Sequence, residues 1–295
     1  SSLECQNIIL NKQSNLWSKR VEDEDFLTVS LGYGNIPMQI DIQYPEKHFS
    51  LEEDNLTNIV DELGKEKKIL SNVPIKFSLI ENSISCIVEK KKNYYGFLKN
   101  LIVQLMAFHS YDELKIVVLT DKNNEVFWEN IKTSPYLWDD NKKFRFYATN
   151  IEEYNEINYI LNKELEDNIE LKSKNQEIKF DRNYLVISDS FYSVRGLEFV
   201  KKILESSSYS GFSLMILGEN ITSIPPECQT FISLGNKNEV FNKDYSNTVV
   251  EFLMDDYSKI NLKKCSKVLS NIFIDIQNKT FSNLPVQISL LELYK

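Results

Sequence analysis

From Pro74 onward the chain alternates short apolar runs with stretches of helical periodicity, and this alternation most narrows what it can fold into. The apolar runs are Ile84–Val88, Leu114–Leu119, Phe144–Ala148, Tyr184–Ser188, Phe212–Leu217 and Thr230–Leu234. Leu114–Leu119 has enough apolar continuity to sit inside a parallel sheet, where strands are buried on both faces. Between them, Leu98, Leu101, Ile102, Leu105 and His109 recur at helical spacing across about 96–110. Val126, Phe127, Trp128 and Ile131 mark a short helix, and Ile151–Asp167, Arg195–Ser206 and Tyr257–Ile272 mark longer ones. The stretch up to Lys179 reads as a polar loop. The expected fold class is α/β, with a mostly parallel sheet flanked by helices.

The first part of the chain reads differently. Residues 1–20 predict an arm or short helix. Phe26–Leu31 predicts a strand, Gly32-Tyr33-Gly34-Asn35 a turn, and Met38–Ile42 an antiparallel return strand. Ser50 with Glu53 forms a capping-box signature for a helix reaching about Ile69. Pro74 then marks entry to a strand over Ile75–Ile80. The expected organisation is an N-terminal arm with a small β-rich lobe over 1–73, followed by an α/β domain over 74–295.

The junction between Ile84–Val88 and the following helix carries the chemistry to be tested. A phosphate-binding loop places G-x-x-x-x-G-K-[ST] there, because glycines let backbone N–H groups converge on the anion and the hydroxyl serves Mg²⁺. Here the junction reads Glu89-Lys90-Lys91-Lys92-Asn93-Tyr94-Tyr95-Gly96, with one glycine and no Lys-Ser or Lys-Thr pair. Tyr184–Ser188 followed by Asp189 resembles a Walker-B strand, an apolar run ending in an acid. Ser190 follows, where a hydrolytic site wants a second acid to orient water. The fold expected is therefore P-loop-NTPase-like but degenerate, with a vestigial phosphate loop at 89–96 and a Walker-B-like Asp189. Lys90–Lys92 could form a crude phosphate site at a helix start, although a solvated surface loop is the plainer account. The Tyr94 and Tyr95 rings are expected to fill space that a nucleotide would occupy.

Composition excludes several classes. The net charge of −9 argues against nucleic acid as a partner, which calls for a basic face. Lys65–Lys68 and the acidic run Glu22–Asp25 read as solvated surface. No run approaches the length of a membrane span, and no signal peptide opens the chain. Cys5, Cys86, Cys228 and Cys265 show no C-x-x-C spacing and lie far in sequence from His48 and His109, so no metal site is expected. Cys86, in an apolar strand, reads as a buried small hydrophobe, and the cysteine usage fits a reducing compartment. No Ser/His/acid arrangement is readable, and His109 reads as a helix C-terminal residue. Trp17, Trp128 and Trp138 read as packing residues.

Several segments, in order, resemble one family. Leu16–Arg20 with Glu24–Gly34 is similar to the segment after the transmembrane helices of type VII secretion ATPases, the EssC and EccC proteins of the FtsK/SpoIIIE class. Gln104–Ser110 with Leu114–Leu119 resembles that family's helix-strand unit. Trp128, Pro135 and Arg145 fall at its Trp-rich stretch and Arg-containing strand, Ile224–Cys228 at its proline-cysteine turn, and Leu284–Tyr294 at the junction before its first motor module. The resemblance implies a membrane-proximal, ATPase-like domain on the cytoplasmic face of the bacterial membrane, tethered by helices outside this sequence. It implies a non-catalytic role coupling the membrane pore to downstream ATPase modules in cis, hexameric in the full assembly. ATP and Mg would belong to those modules, with no cofactor in this domain. Alternatives are a weakly active NTPase with a non-standard phosphate loop, or a docking module for secreted helical substrates.

Overall fold

A computed structural model describes residues 1–38, 69–89, 94–206, 208–221, 224–243 and 249–274. The expected strand beyond Met38, the capping-box helix, Lys65–Lys68, His48, Lys90–Asn93 and Leu284–Tyr294 lie outside the described residues. In chain order the elements are α1 (Ser2–Leu10), β1 (Thr28–Pro37), β2 (Ile69–Ser78), β3 (Ile84–Val88) and α2 (Tyr94–Phe108). There follow β4 (Leu114–Leu119), α3 (Glu125–Trp128), a 3-10 turn (Pro135–Leu137), β5 (Tyr147–Ala148), α4 (Ile151–Lys174) and β6 (Asn183–Ser188). The remainder is α5 (Phe191–Val194), α6 (Glu198–Glu205), β7 (Phe212–Gly218), β8 (Thr230–Ser233), β9 (Asn238–Asn242), β10 (Val250–Leu253) and α7 (Leu262–Leu269).

The strands form one sheet in the order β2-β1-β10-β9-β8-β3-β7-β6-β4-β5. From β8 to β5 all pairings are parallel, and from β8 outward to β2 all are antiparallel. The period-2 alternation of a strand sorts the core into two layers. Ile87, Ile116, Val118, Leu185, Ile187, Met215 and Leu217 join one cluster with α1, α2 and α7. Cys86, Val117, Leu119, Tyr184, Val186, Leu214 and Ile216 join the other with α4 and α6. Each fully buried aliphatic or aromatic side chain contributes about 1.5–3 kcal/mol, so uninterrupted apolar strands are stable only with helices on both faces. The expected α/β class with a mostly parallel, helix-flanked sheet is what forms.

Several boundaries differ from the sequence reading. Gly32 to Asn35 is no turn: β1 runs through it. At Gly32 φ is +150°, and a Cβ would lie 2.1 Å from the Leu253 carbonyl oxygen of β10. That glycine serves close approach of a neighbouring strand rather than chain reversal. Pro74 lies inside β2 rather than at its start, which an edge strand tolerates. The division at residue 73 also falls within β2, and β1 and β2 extend the same sheet as the parallel strands. The polar stretch after Asp167 continues α4 to Lys174, with Glu152 and Glu153 in its first turn and Lys172 and Lys174 in its last, complementing the helix dipole. The helix expected over Arg195–Ser206 is α6 alone, starting at Glu198 after the separate short α5 that ends at Val194, and α7 is shorter than Tyr257–Ile272. Cys86 is not an isolated hydrophobe. It is joined to Cys228 by a disulfide, with Cα atoms 6.5 Å apart across 142 residues of sequence.

The N-terminal arm is strapped to α2. Trp17 and Lys19 donate backbone N–H groups to Ala107 and Phe108, and the Trp17 indole donates to the Met106 carbonyl and the Tyr136 hydroxyl. His109 is fully buried: Nε2 accepts the Leu27 N–H at 2.9 Å, Nδ1 lies 3.2 Å from the Leu105 carbonyl, and its ring meets Phe26 edge-on. It is thus a core fastener rather than a frayed helix end. Burial, helped by the nearby Lys19 charge, lowers its pKa from 6.5 to about 4. Because the folded state holds the neutral ring, the stability it confers is complete above the unfolded pKa and is lost as pH falls from 6.5 toward about 4. Urea titrations across this window should show wild type losing up to about 3 kcal/mol more than His109→Phe. At neutral pH that variant should be weaker by about 1–3 kcal/mol, because Leu27 N–H loses its acceptor.

Candidate functional site at the carboxyl ends of the parallel strands

In open α/β sheets, ligands sit in the crevice beyond the carboxyl ends of the strands. Here β4 and β6 are adjacent and in register, with Leu119 opposite Ser188, so Thr120 and Asp189 emerge side by side. The first turn of α2 enters this crevice from one side and α3 from the other. They bring three donors to a single atom. Asp189 Oδ2 accepts the Tyr95 hydroxyl at 2.9 Å, the Thr120 hydroxyl at 2.9 Å and the Trp128 indole N–H at 3.0 Å. Oδ1 is buried with no hydrogen-bond partner among the described residues. Hydrogen bonds to an ionised acceptor contribute about 1.5–3 kcal/mol each, enough to hold a carboxylate that burial alone would neutralise. Burial is the first cause of a net upward shift of the Asp189 pKa; Trp128, Thr120 and Tyr95 oppose it, and Asp121 adds to it.

Aromatic rings pack around this carboxylate. Tyr95 stacks on Phe127 with centroids 4.6 Å apart, and meets Tyr94 and Trp128 edge-on at 4.8 and 6.3 Å. Burial raises the hydroxyl pKa of both tyrosines. That of Tyr94 reaches about 12, with the charges of Asp189, Glu219 and Asp121 adding to burial. Thr120 is itself fixed from behind, because Tyr154 of α4 donates to its carbonyl.

Of the eight junction residues, four are described. Glu89 continues the ladder of β3, its N–H donating to the Gly218 carbonyl of β7 at 3.0 Å. Tyr94 and Tyr95 open α2. At Gly96 a Cβ would lie 2.5–2.8 Å from ring atoms of Tyr257, so its hydrogen makes room for that ring. Sequence reasoning named Tyr95 and Asp189 separately and placed Trp128 among packing residues. It missed Thr120 and the convergence of all four. A polar residue ending the strand beside the Asp189 strand was the available signal. A second pattern also went unread: four adjacent parallel strands, β3, β7, β6 and β4, are followed within two residues by Glu89, Glu219, Asp189 and Asp121.

No family model matches the chain. The type VII secretion system protein EssC of Staphylococcus aureus strain MSSA476 is 21% identical over 297 aligned positions, covering 99% of this chain and 20% of that protein. The ESX secretion system protein EccC of Geobacillus thermodenitrificans is 18% identical over 293 positions, covering 98% and 20%. The chain therefore spans about a fifth of the length of these curated relatives. Among solved structures, the cytoplasmic domain of the Thermomonospora curvata type VII secretion ATPase EccC superposes with a TM-score of 0.53 at 12% identity, covering 88% of this chain and 32% of that one. EssC (ATPases 2 and 3) from Geobacillus thermodenitrificans gives 0.50 at 11% identity, covering 76% and 48%. These likenesses show the fold, a mixed α/β domain with a mostly parallel central sheet flanked by helices. The sequence likenesses span nearly all of this chain, and they and the fold likenesses fall on EssC and EccC proteins alike, at low identity. Among the described residues, no helix is long and apolar enough to cross a membrane.

Substitutions at Asp189, Gly96 and Tyr257 probe the crevice. Asp189→Asn keeps an acceptor for the three donors and removes a buried charge. It should match or exceed wild type in urea midpoint at neutral pH, the gain vanishing as pH falls below the raised Asp189 pKa. Asp189→Leu should cost about 2–4 kcal/mol by orphaning the donors. Gly96→Ala should cost about 1–3 kcal/mol through overpacking, and Tyr257→Ala in the same chain should recover much of that loss, read from a double-mutant cycle.

Proposed function

We propose that this chain is a nucleotide-free, non-catalytic ATPase-like domain of a type VII secretion motor. It couples membrane components to FtsK/SpoIIIE-type ATPase modules carried on the same polypeptide, on the cytoplasmic face of the membrane and within a hexameric assembly. The observation that carries this reading is the occupied Asp189 carboxylate. In an ATPase of this fold that acid faces Mg²⁺-bound water. Here Oδ2 takes hydrogen bonds from Tyr95, Thr120 and Trp128, and Tyr95 reaches it from the turn of α2 where a phosphate loop would end. The ring of Tyr257 on Gly96 supports the reading from the other side of that turn.

A domain without its own nucleotide responds only through differential contacts with its neighbours. Two features suit it to pass such contacts on as one body. The sheet runs unbroken across the ten strands of the described residues. The first and last described helices are also fastened together. Ser2 N–H and hydroxyl donate to Asp255, the Gln6 side chain donates to the Lys259 carbonyl and accepts Asn261 N–H, and the Asn100 side chain donates to the Asp255 carbonyl. Displacement of either end is thereby transmitted to α2.

Calorimetric titration with Mg-ATP and Mg-ADP, beside an active motor module as control, tests the proposal. No heat and no thermal stabilisation at millimolar nucleotide is the expected result. Saturable binding that Asp189→Ala weakens would replace the proposal with a weakly active NTPase using a non-standard phosphate loop.

A further inference from the structure

We propose that Cys86 and Cys228 form a reversible redox lock that fixes the Ile224–Cys228 turn to β3 and thereby sets one wall of a surface cleft. The inference rests on the cytoplasmic placement proposed above. The bond joins two unlike parts of the fold. Cys86 is central in β3, paired on both sides by β7 and β8, and cannot move without breaking the parallel sheet. Cys228 lies two residues before β8, at the end of a turn closed by its own N–H donating to the Pro225 carbonyl at 3.1 Å. Pro225 and Pro226 contribute no backbone donors; among the described residues the other hydrogen bonds on the turn run from the Lys243 ammonium to the Pro226 carbonyl, from Ile224 N–H to the Ile221 carbonyl and, just past it, from Gln229 N–H to the Ile84 carbonyl of β3. The disulfide is its covalent tie to the sheet.

The same turn forms a wall of a cleft of about 350 Å³, where Ile224, Pro225 and Pro226 face Phe191, Tyr192 and Arg195. Tyr192 is 65% exposed, and the Arg195 guanidinium sits 5.4 Å from its ring centroid. Releasing the turn therefore alters this surface while the parallel sheet stays intact.

Cytosolic disulfides in most organisms are transient, because glutathione and thioredoxin systems reduce them. A pair placed at bonding range with a Cα separation of 6.5 Å, within the normal disulfide span, is then a dithiol in a reduced cell and a disulfide after oxidation. The oxidant class is a low-molecular-weight disulfide. One cysteine thiolate attacks glutathione disulfide and expels a glutathione thiolate; the second cysteine attacks the mixed disulfide and expels the other. Two electrons pass from the cysteine pair to glutathione, and the two cysteine protons end on two glutathione thiols. Cys228 is the entry thiol, since both sulfurs are buried and only the turn can open. Cys5 and Cys265 are free, buried and held as thiols, with pKa values pushed up to about 11, mainly by burial, and serve as internal controls.

The test is peptide mass mapping combined with amide hydrogen exchange on this chain. It is equilibrated in glutathione buffers from oxidising to cytosol-like reducing ratios, with a thioredoxin-class dithiol as the reducing catalyst. The expected result is a cross-linked peptide pair containing Cys86 and Cys228 in oxidising buffer and its loss in reducing buffer. Exchange over 224–229 should be about tenfold slower in the bonded form, and Cys228→Ser should show fast exchange in every buffer. Absence of the cross-link under all conditions overturns the lock. So does a cross-link that survives reducing buffer, which would make it a permanent staple, or exchange that ignores the redox state. Nucleotide titration reads the proposed function independently. A toggling bond in a nucleotide-binding chain would sink that function and keep the lock, and a non-toggling bond in a nucleotide-free chain would do the reverse.

Discussion

The Asp189 carboxylate, gripped at one oxygen by three side chains from three different elements, is the interaction around which the crevice is built. A carboxylate placed among rings costs several kcal/mol unless it is paired or hydrogen-bonded. Among the described residues the donors that meet it are neutral. Each donor is positioned by the sheet: Thr120 by the register of β4 on β6, Tyr95 by the start of α2 after β3, and Trp128 by the short helix after β4. Oδ2 is taken up by these donors and flanked by the stacked Tyr95 and Phe127 rings, while Oδ1 stays buried without a hydrogen-bond partner among the described residues.

Around that point the molecule is organised as a sheet with two different halves. The parallel half is covered on both faces and supplies the rigid frame. The antiparallel half takes two strands from early in the chain and two from late, so distant parts of the sequence are laced into one layer. The same lacing recurs among the helices, where α1 and the segment leading into α7 are hydrogen-bonded to each other and to α2. Such a body suits passing on displacement, as the proposed coupling role requires.

Where sequence and structure agree, the reason is periodicity. The strands β3, β4, β6 and β7 and the helix α2 are long or apolar enough that pattern alone specifies them, and the α/β class follows. Where they part, long-range geometry decides. Gly32 looks like a turn residue in sequence, but the approach of β10, more than two hundred positions later, is what demands it. The β9 and β10 strands are short and half-exposed, so they carry little apolar signal. Trp128 and Thr120 each look ordinary, because their meaning lies in meeting Asp189. The bond between Cys86 and Cys228 was hidden by the length of chain between them, although one lies in β3 and the other just before its parallel neighbour β8.

The most direct test of the account is the protonation of Asp189, followed by carboxyl carbon NMR in the presence and absence of millimolar Mg²⁺. A carboxylate held by Tyr95, Thr120 and Trp128 in a buried site should titrate above the ordinary aspartate range. It should also keep the same midpoint and chemical shift when Mg²⁺ is added. A midpoint at or below the usual aspartate value, moved further down by Mg²⁺, would mean that the side-chain cage opens to a metal ion and that the crevice is a working site.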